Sequence, residues 1–295
     1  MSTGTTPDVS VVIPVRNGGA LLEEQLAALV AQDFPGTWEV LVVDNGSDDD
    51  SAERAERYAD RLDLRVLPAP DGLGPAYARN VGAAYARGRW LAFCDADDVV
   101  EPAWLRALVA KAVEADLVGG TVDVAVLNSP RMLQARGLQA DADGDALPIG
   151  PGGFLPYIPS GNLLISHEVF DALGGWDERL TYCEDVDLSW RAQLAGYALA
   201  YQPEAVLRYR LRHSALGLFR QVANYSAAEP ALYQRFRAHG AVRPTVRHGL
   251  GRIWWVLSRS PYLVLGTRRR HLWLAVAAEV TGHLRGSRRH RVLYL

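Results

Sequence analysis

Three carboxylates, Asp95, Asp97 and Asp98, fall within four residues in "LAFCDADDVVEP" (91–102), directly after an apolar run. Like charges this close repel one another and cost stability unless something cationic sits among them. A hard divalent cation, Mg²⁺ or Mn²⁺, takes oxygen ligands, commonly one or two carboxylates with substrate phosphates completing the set. The cluster therefore points to a metal site that receives a diphosphate. Asp-x-Asp by itself is also the pattern of caps and solvated turns, and Asp98 in particular is placed to cap a helix expected near Pro102. A second acidic group, Glu184, Asp185 and Asp187 in "CEDVDLSWR", offers proton acceptors; its other reading is favourable charge at a helix N-terminus. No G-x-x-x-x-G-K-[ST] is present, and Lys111 is the only lysine in the chain. The first apolar run continues "VIPVRNGG" without G-x-G-x-x-G, so P-loop and dinucleotide readings are both poor.

The elements that must position these groups follow from periodicity. "VSVVIPV" (9–15), "WEVLVVD" (38–44), "LRVLPA" and "WLAFCDA" (90–96) read as buried strands. Helices are expected over 20–32, 48–62, 74–88 and 102–115, the last with Pro at its first turn. Fourfold alternation of strand and helix predicts parallel βαβ units with right-handed crossovers. In such sheets ligands sit beyond the carboxyl ends of the strands. Asp44 ends the second strand and Asp95 and Asp97 the fourth, so topology alone brings them to one rim. Residues 125–158 are rich in Gly, Pro and Asp, and read as a long mobile loop. "GNLLIS", a helix over 184–196 and the strand "YALAYQ" follow, and from about residue 214 the pattern is helical, amphipathic and Arg-rich.

Composition bounds the class. With 295 residues, 49% of them hydrophobic, the chain suits one large α/β domain with or without an extension. Two cysteines, Cys94 and Cys183, exclude a disulfide framework, and reduced thiols in a cytoplasm are the simple reading. The net charge of -3 conceals an asymmetry. From Tyr201 onward seventeen Arg face three acids, a net of +14; residues 1–200 carry a net of -17. The basic tail meets something anionic or packs on the acidic body. The N-terminal "MSTGTTPDVSVVIPV" lacks the basic region of a secretory signal. No run reaches the ~20 apolar residues of a spanning helix. The expected location is cytoplasmic, either free or peripheral on the inner face of a membrane.

The ordered motifs "VSVVIPVRNGG", "VLVVDNGSDD", "GPAYARNVGAA", "CDADDVVEP", "GGWDERL" and "CEDVDLSWR" resemble the family 2 glycosyltransferases over roughly residues 9–213. The resemblance implies a GT-A fold: α/β, Rossmann-like, a mainly parallel sheet flanked by helices. It implies a nucleotide-sugar half (9–120) and an acceptor-side half (121–213), with 214–295 left as a basic amphipathic helical extension. By position, Asp44 matches the acid that reads the N3–H of a uracil-type base, and Pro14, Val15 and Arg16 line the same pocket. Arg79 matches an arginine near the nucleotide and diphosphate, or is a solvated helix arginine. Asp95, Ala96 and Asp97 match the Asp-x-Asp motif, with Asp97 the direct ligand of Mg²⁺ or Mn²⁺ and Asp95 beside it. His213, in "YRLRHS", falls where some relatives place a further metal ligand; a lone His is otherwise structural. Asp185 matches the catalytic base, with Glu184 beside it on the acceptor side.

Asn162, in "SGNLL", and Trp176, in "GGWDERL", are also placed on the sugar and acceptor side. Trp176 either stacks on a sugar face or anchors the core. The implied activity is inverting, metal-dependent transfer of a sugar from a UDP- or dTDP-sugar to a hydroxyl acceptor. That acceptor is a lipid-linked glycan, a polysaccharide or a small molecule. The alternatives are a nucleotidyltransferase of related topology, for which "RNGG" is a thin phosphate loop, and a non-catalytic sugar-nucleotide-binding protein. Trp254, Trp255, Trp273 and Tyr262 among Arg252, Arg259 and Arg268 to Arg270 make the extension a candidate for an anionic membrane surface or a homodimer contact. No nucleic-acid partner is expected.

Overall fold

The computed structural model describes residues 6–138 and 146–295. The first five residues of the N-terminal stretch and positions 139–145 of the expected loop lie outside that description. The chain divides into two compact units. One runs to Asp123 and takes up Tyr157–Tyr209; the other holds Ile149–Pro156, Arg210–Leu295 and the segment that begins at Val124.

In the first unit the expected alternation appears in order: β1 (Val9–Val15), α1 (Gly19–Val30), β2 (Trp38–Asp44), α2 (Ser51–Glu56), β3 (Leu64–Pro68), α3 (Pro75–Tyr85) and β4 (Trp90–Phe93). Then come β5 (Val99–Val100), α4 (Trp104–Lys111) and β6 (Leu117–Asp123). After α5 (Pro130–Arg136), which belongs to the second unit, the first unit resumes with β7 (Leu163–Ser166), α6 (His167–Ala172), α7 (Glu184–Leu194) and β8 (Leu199–Arg208). The strand order is β3-β2-β1-β4-β7-β6-β8-β5. Strands β1 to β4 are mutually parallel, as expected. Strand β7 runs antiparallel between β4 and β6, and β5 antiparallel to β8. Strand direction is not written in an apolar run: "GNLLIS" reads alike either way.

Alternation within β1 explains why both faces are covered. Val9, Val11 and Ile13 pack with Leu22, Leu26 and Leu29 of α1 and Leu105 and Leu108 of α4. Val12, Leu41 and Val43 face the other way, toward Ala76, Ala78 and Ala83 of α3 and Leu188 of α7. A parallel strand buried on both faces must be apolar throughout, and "VSVVIPV" nearly is. The one polar side chain there, Ser10, is buried and donates to Glu39 at 2.7 Å. In β1–β2 register Val15 lies opposite Asp44, so the carboxyl ends of both strands meet at one edge.

In the second unit are α8 (Ala215–Phe236), α9 (Val246–Ser258) and α10 (Thr267–His290). Helices α8 and α10 approach closely because Gly282 and Gly286 have no side chain. A Cβ on either would stand 2.4 Å from the carbonyl oxygen of Ala223 or Ala227. The expected loop is not structureless: Ser129 caps α5, accepting from Met132 N at 3.3 Å, and Gly137 ends it at φ 70°. Ser, then Pro at the first turn, then Gly just past the end was a legible helix signature in "SPRMLQARG". A turn over Pro151–Gly153 and an Ile149–Pro156 bridge follow. No helix among the described residues is long and apolar enough to cross a membrane.

Candidate active site

The loops leaving β1 and β2 are tied to each other. Asn17 N donates to Ser47 Oγ at 2.9 Å, Asp48 N donates to Asn17 Oδ1 at 2.8 Å, and Gly18 N and Gly19 N both donate to Ser51 Oγ. Asn17 takes a left-handed backbone, φ 56°, to turn the chain into α1. This stapled rim carries Pro14, Val15, Arg16 and Asp44. Arg16 is exposed, Pro14 and Asp44 are half-buried, and Val15 is buried. Asp44 turns one oxygen to Ser47 N at 3.1 Å. Its neighbour Asn45, which sequence reasoning passed over, holds the loop before α3. Its Nδ2 donates to the carbonyls of Ala69 (2.7 Å) and Gly72 (2.8 Å), and its Oδ1 accepts from Gly74 N (2.9 Å). An Asn directly after a strand-ending Asp was the available signal.

Strand β4 leaves the ladder after Phe93, three residues sooner than expected, and the acidic turn begins. Gln25 of α1 braces it, donating to Asp95 O at 3.3 Å and accepting from Val100 N at 3.0 Å. Asp98 is buried and does not cap α4, which starts at Trp104 behind Ala103 with no side-chain cap. Ala96 is buried and Asp97 half-buried on this same turn.

The cation nearest the cluster is a side chain. Arg79 of α3 is 2% exposed, not a solvated helix arginine. Its Nη2 donates to Asp95 Oδ1 at 2.6 Å and its Nη1 to Glu184 Oε1 at 3.0 Å. It joins two carboxylates from halves of the chain 89 positions apart along the sequence, and so draws the N-terminus of α7 to the acidic turn. Three carboxylates, Asp95, Glu184 and Asp185, act on this one guanidinium. The excess negative charge shows in Glu184: burial, then repulsion from Asp185, pushes its carboxyl up to about 7 against the pull of Arg79. Asp185 is also raised, by burial above all, against the pull of the Val186 N–H, Arg79 and the Ser160 N–H. Its Oδ1 accepts from Val186 N at 2.8 Å and its Oδ2 from Ser160 N at 3.4 Å. The chain enters α7 through Cys183 at φ 62°, an uncommon conformation for a side-chain-bearing residue. Burial pushes the Tyr157 phenol up to about 12, with the charge of Asp185 adding, so a neutral hydroxyl accompanies the acid pair. Both Cys94 and Cys183 are buried, and neither is in a disulfide.

Three expected acceptor-side residues have structural partners instead. Asn162 is wholly buried: its Oδ1 accepts from Trp104 Nε1 at 2.8 Å, and its Nδ2 donates to the carbonyls of Thr121 (2.9 Å) and Ala205 (3.2 Å). No polar atom of it is left for a sugar. Of the two readings of Trp176, the structure has the core anchor. The ring is 2% exposed and stands edge-on to Phe93 at 5.3 Å, with Arg79 over it at 5.4 Å. Asn80 fixes its backbone from both sides, at 2.9 Å each. Glu184 is turned inward to Arg79. Asp187 is likewise committed, paired to Arg191 at 2.7 Å while Arg191 also holds the carbonyls of Leu173 and Gly175. That leaves Asp185 as the half-buried acid of this group.

The donor set suits a hard cation brought with a diphosphate. One Asp95 oxygen is engaged by Arg79; the other faces Gly161, where a Cβ would stand 2.9 Å from it. The space beside that oxygen is thus kept clear by a glycine. Among the described residues no group of three His, Cys, Asp or Glu side chains is placed to hold a metal ion by itself. His213 lies in the second unit, before Ser214, the residue that caps α8.

Known proteins resemble the chain over most of its length. Over 279 residues the chain is 29% identical to a pre-mycofactocin glycosyltransferase of Mycobacterium tuberculosis, covering 93% of this chain but 56% of that one. It is 31% identical over 212 residues to glycosyltransferase AglE of Haloferax volcanii, covering 69% and 67%. The chain thus spans little more than half the length of the mycobacterial relative. Among solved structures, the mannosyltransferase PcManGT of Pyrobaculum calidifontis in complex with GDP-Man and Mn²⁺ superposes with a TM-score of 0.64 at 20% identity, covering 96% of this chain and 87% of that one. TarS of Staphylococcus aureus in complex with UDP-GlcNAc gives 0.55 at 17% identity, covering 97% and 92%. These likenesses establish the GT-A-like fold. The family profile described as Glycosyl transferase family 2 matches residues 10–174, more than half of the chain, so the chain belongs to glycosyl transferase family 2.

Proposed function

We propose that this chain transfers a sugar from a UDP- or dTDP-sugar to a hydroxyl acceptor, with inversion, using Asp185 as general base. The observation that carries the reading is the arrangement around Arg79. One buried guanidinium fixes Asp95 of the acidic turn and Glu184 at the head of α7, and so places Asp185 beside the turn. A hydroxyl is a weak nucleophile until its proton is removed during attack. Asp185, its carboxyl raised by burial, is a stronger proton acceptor than a solvated Asp. Its Oδ1 is oriented by Val186 N and its Oδ2 is held loosely by Ser160 N, so the carboxylate keeps acceptor capacity toward a substrate.

Asp97, with the remaining oxygen of Asp95, would hold Mg²⁺ or Mn²⁺. When bound, the ion takes up charge that builds on the departing diphosphate. Asp44, at the carboxyl end of β2, accepts from N3–H of a uracil or thymine ring, and Pro14, Val15 and Arg16 edge the same pocket. Solved neighbours hold GDP-Man and UDP-GlcNAc, so the base chosen by this chain rests on its own rim residues. A nucleotidyltransferase fits less well, because the β1–α1 loop is spent on bonds to Ser47 and Ser51.

The test is Asp185→Asn. It keeps the shape and the stronger of the two backbone bonds, its one side-chain oxygen accepting from Val186 N, but accepts no proton at neutral pH. Donor affinity should stay near native while transfer falls by about 10²–10⁴-fold, in kcat and kcat/KM alike. Retention of most of the transfer rate would remove Asp185 from the role, and weaker donor binding as the sole defect would reassign it to the donor pocket.

A further inference from the structure

We infer that the outer face of α9 and the start of α10 form a docking surface for an anionic lipid bilayer. Along α9, Val246, Leu250, Trp254 and Leu257 are all exposed, Trp254 at 69%. At about 100° per residue these four fall within an arc of about 80° on one side of the helix. Past the helix end Leu263, Val264 and Leu265 are exposed too, Val264 at 84%, as is Leu272 of α10. Exposed apolar groups scattered singly need no explanation; a contiguous stripe with aromatic residues does.

The charge around the stripe selects the occupant. Arg268, Arg269 and Arg270 are exposed, as is Arg247 beside the stripe. None of the four has a carboxylate partner among the described residues. Residues 210–295 contain sixteen Arg and only two acids, Glu229 and Glu279. Glu279 pairs with Arg252, and Glu229 is held by His283 and Tyr294. Arg259 and Arg269 lie over the rings of Trp255 and Tyr262 at 5.1 Å and 5.6 Å, and those two rings meet edge-on at 6.0 Å. This is the amphipathic pattern of an interfacial segment: apolar and aromatic side chains enter the acyl boundary while guanidinium groups meet lipid phosphates. No described helix can span a bilayer, so the segment lies on the surface. A second copy of the chain is the poorer occupant, because self-association through this face would bring the three consecutive arginines of each copy together.

The full chain is mixed with vesicles of phosphatidylcholine alone or doped with phosphatidylglycerol, and binding is read by co-sedimentation and tryptophan fluorescence. Binding is expected on the doped vesicles at low salt, with a blue shift and release by added salt. The Trp254→Glu, Leu257→Glu double variant should lose the blue shift. Replacing Arg268, Arg269 and Arg270 by Gln should lower partitioning by on the order of a hundredfold, about fivefold for each charge near an anionic surface. Both variants change only exposed positions, and circular dichroism verifies that they fold. Failure to bind anionic vesicles at low salt overturns the proposal, as does binding that neither variant weakens. A concentration-dependent dimer dispersed by Trp254→Glu, without vesicle binding, overturns it in favour of the second copy.

Discussion

Glu184→Gln should make the protein more stable at neutral pH than at acid pH relative to the unsubstituted chain. Burial and the neighbouring Asp185 hold the Glu184 carboxyl near 7, against 4.5 for an ordinary Glu. A folded-state value above the unfolded one means that the folded protein binds the extra proton. The stabilisation is then complete below about pH 4.5 and fades as pH rises through 7. For such a shift the linkage relation gives a loss of ~2 kcal/mol between pH 5 and pH 7. Gln carries no proton to lose, and its side-chain oxygen can still accept from Arg79 Nη1. Urea unfolding of both proteins, without nucleotide, at several pH values from 5 to 7 measures the gap directly. It should widen in favour of the variant by ~2 kcal/mol. Parallel stability curves across that range would refute the claim that three carboxylates overfill one guanidinium. Parallel curves are also what results if Arg79 outweighs burial and holds Glu184 ionised, since that carboxyl would titrate below about pH 4.5.

Asp97→Ala should abolish transfer and remove the Mn²⁺-dependent part of UDP affinity, read by calorimetry with and without the ion; chelator-treated protein that turns over normally would contradict it. Asn162→Ala should destabilise the fold by roughly 2–5 kcal/mol, because it leaves Trp104 Nε1 and the Thr121 and Ala205 carbonyls unsatisfied in the core. Denaturant midpoints give the number, and a variant as stable as the parent would return Asn162 to the acceptor side.

The sequence by itself determined the first half of the sheet. β-Branched runs separated by helical periods can be buried only as parallel strands covered on both faces, and β1, β2 and β3 lie where periodicity put them. It also determined that the acids at the ends of β2 and β4 share a rim, since that follows from strand direction alone. The Ser-Pro and Gly bounds of α5 were equally legible, though composition drew the eye to a loop. Only the tertiary structure decided what each polar group in the motifs is for. Whether Trp176 faces a sugar or Phe93, and whether Asn162 meets a substrate or Trp104, depends on contacts between segments remote in sequence. Arg79 shows the reason most plainly: on its own helix it reads as a solvated cation, yet the fold buries it between Asp95 and a Glu184 that lies 105 residues further along. A residue's type fixes which partners it can take, but only packing brings those partners near, and burial then sets how strongly their charges act.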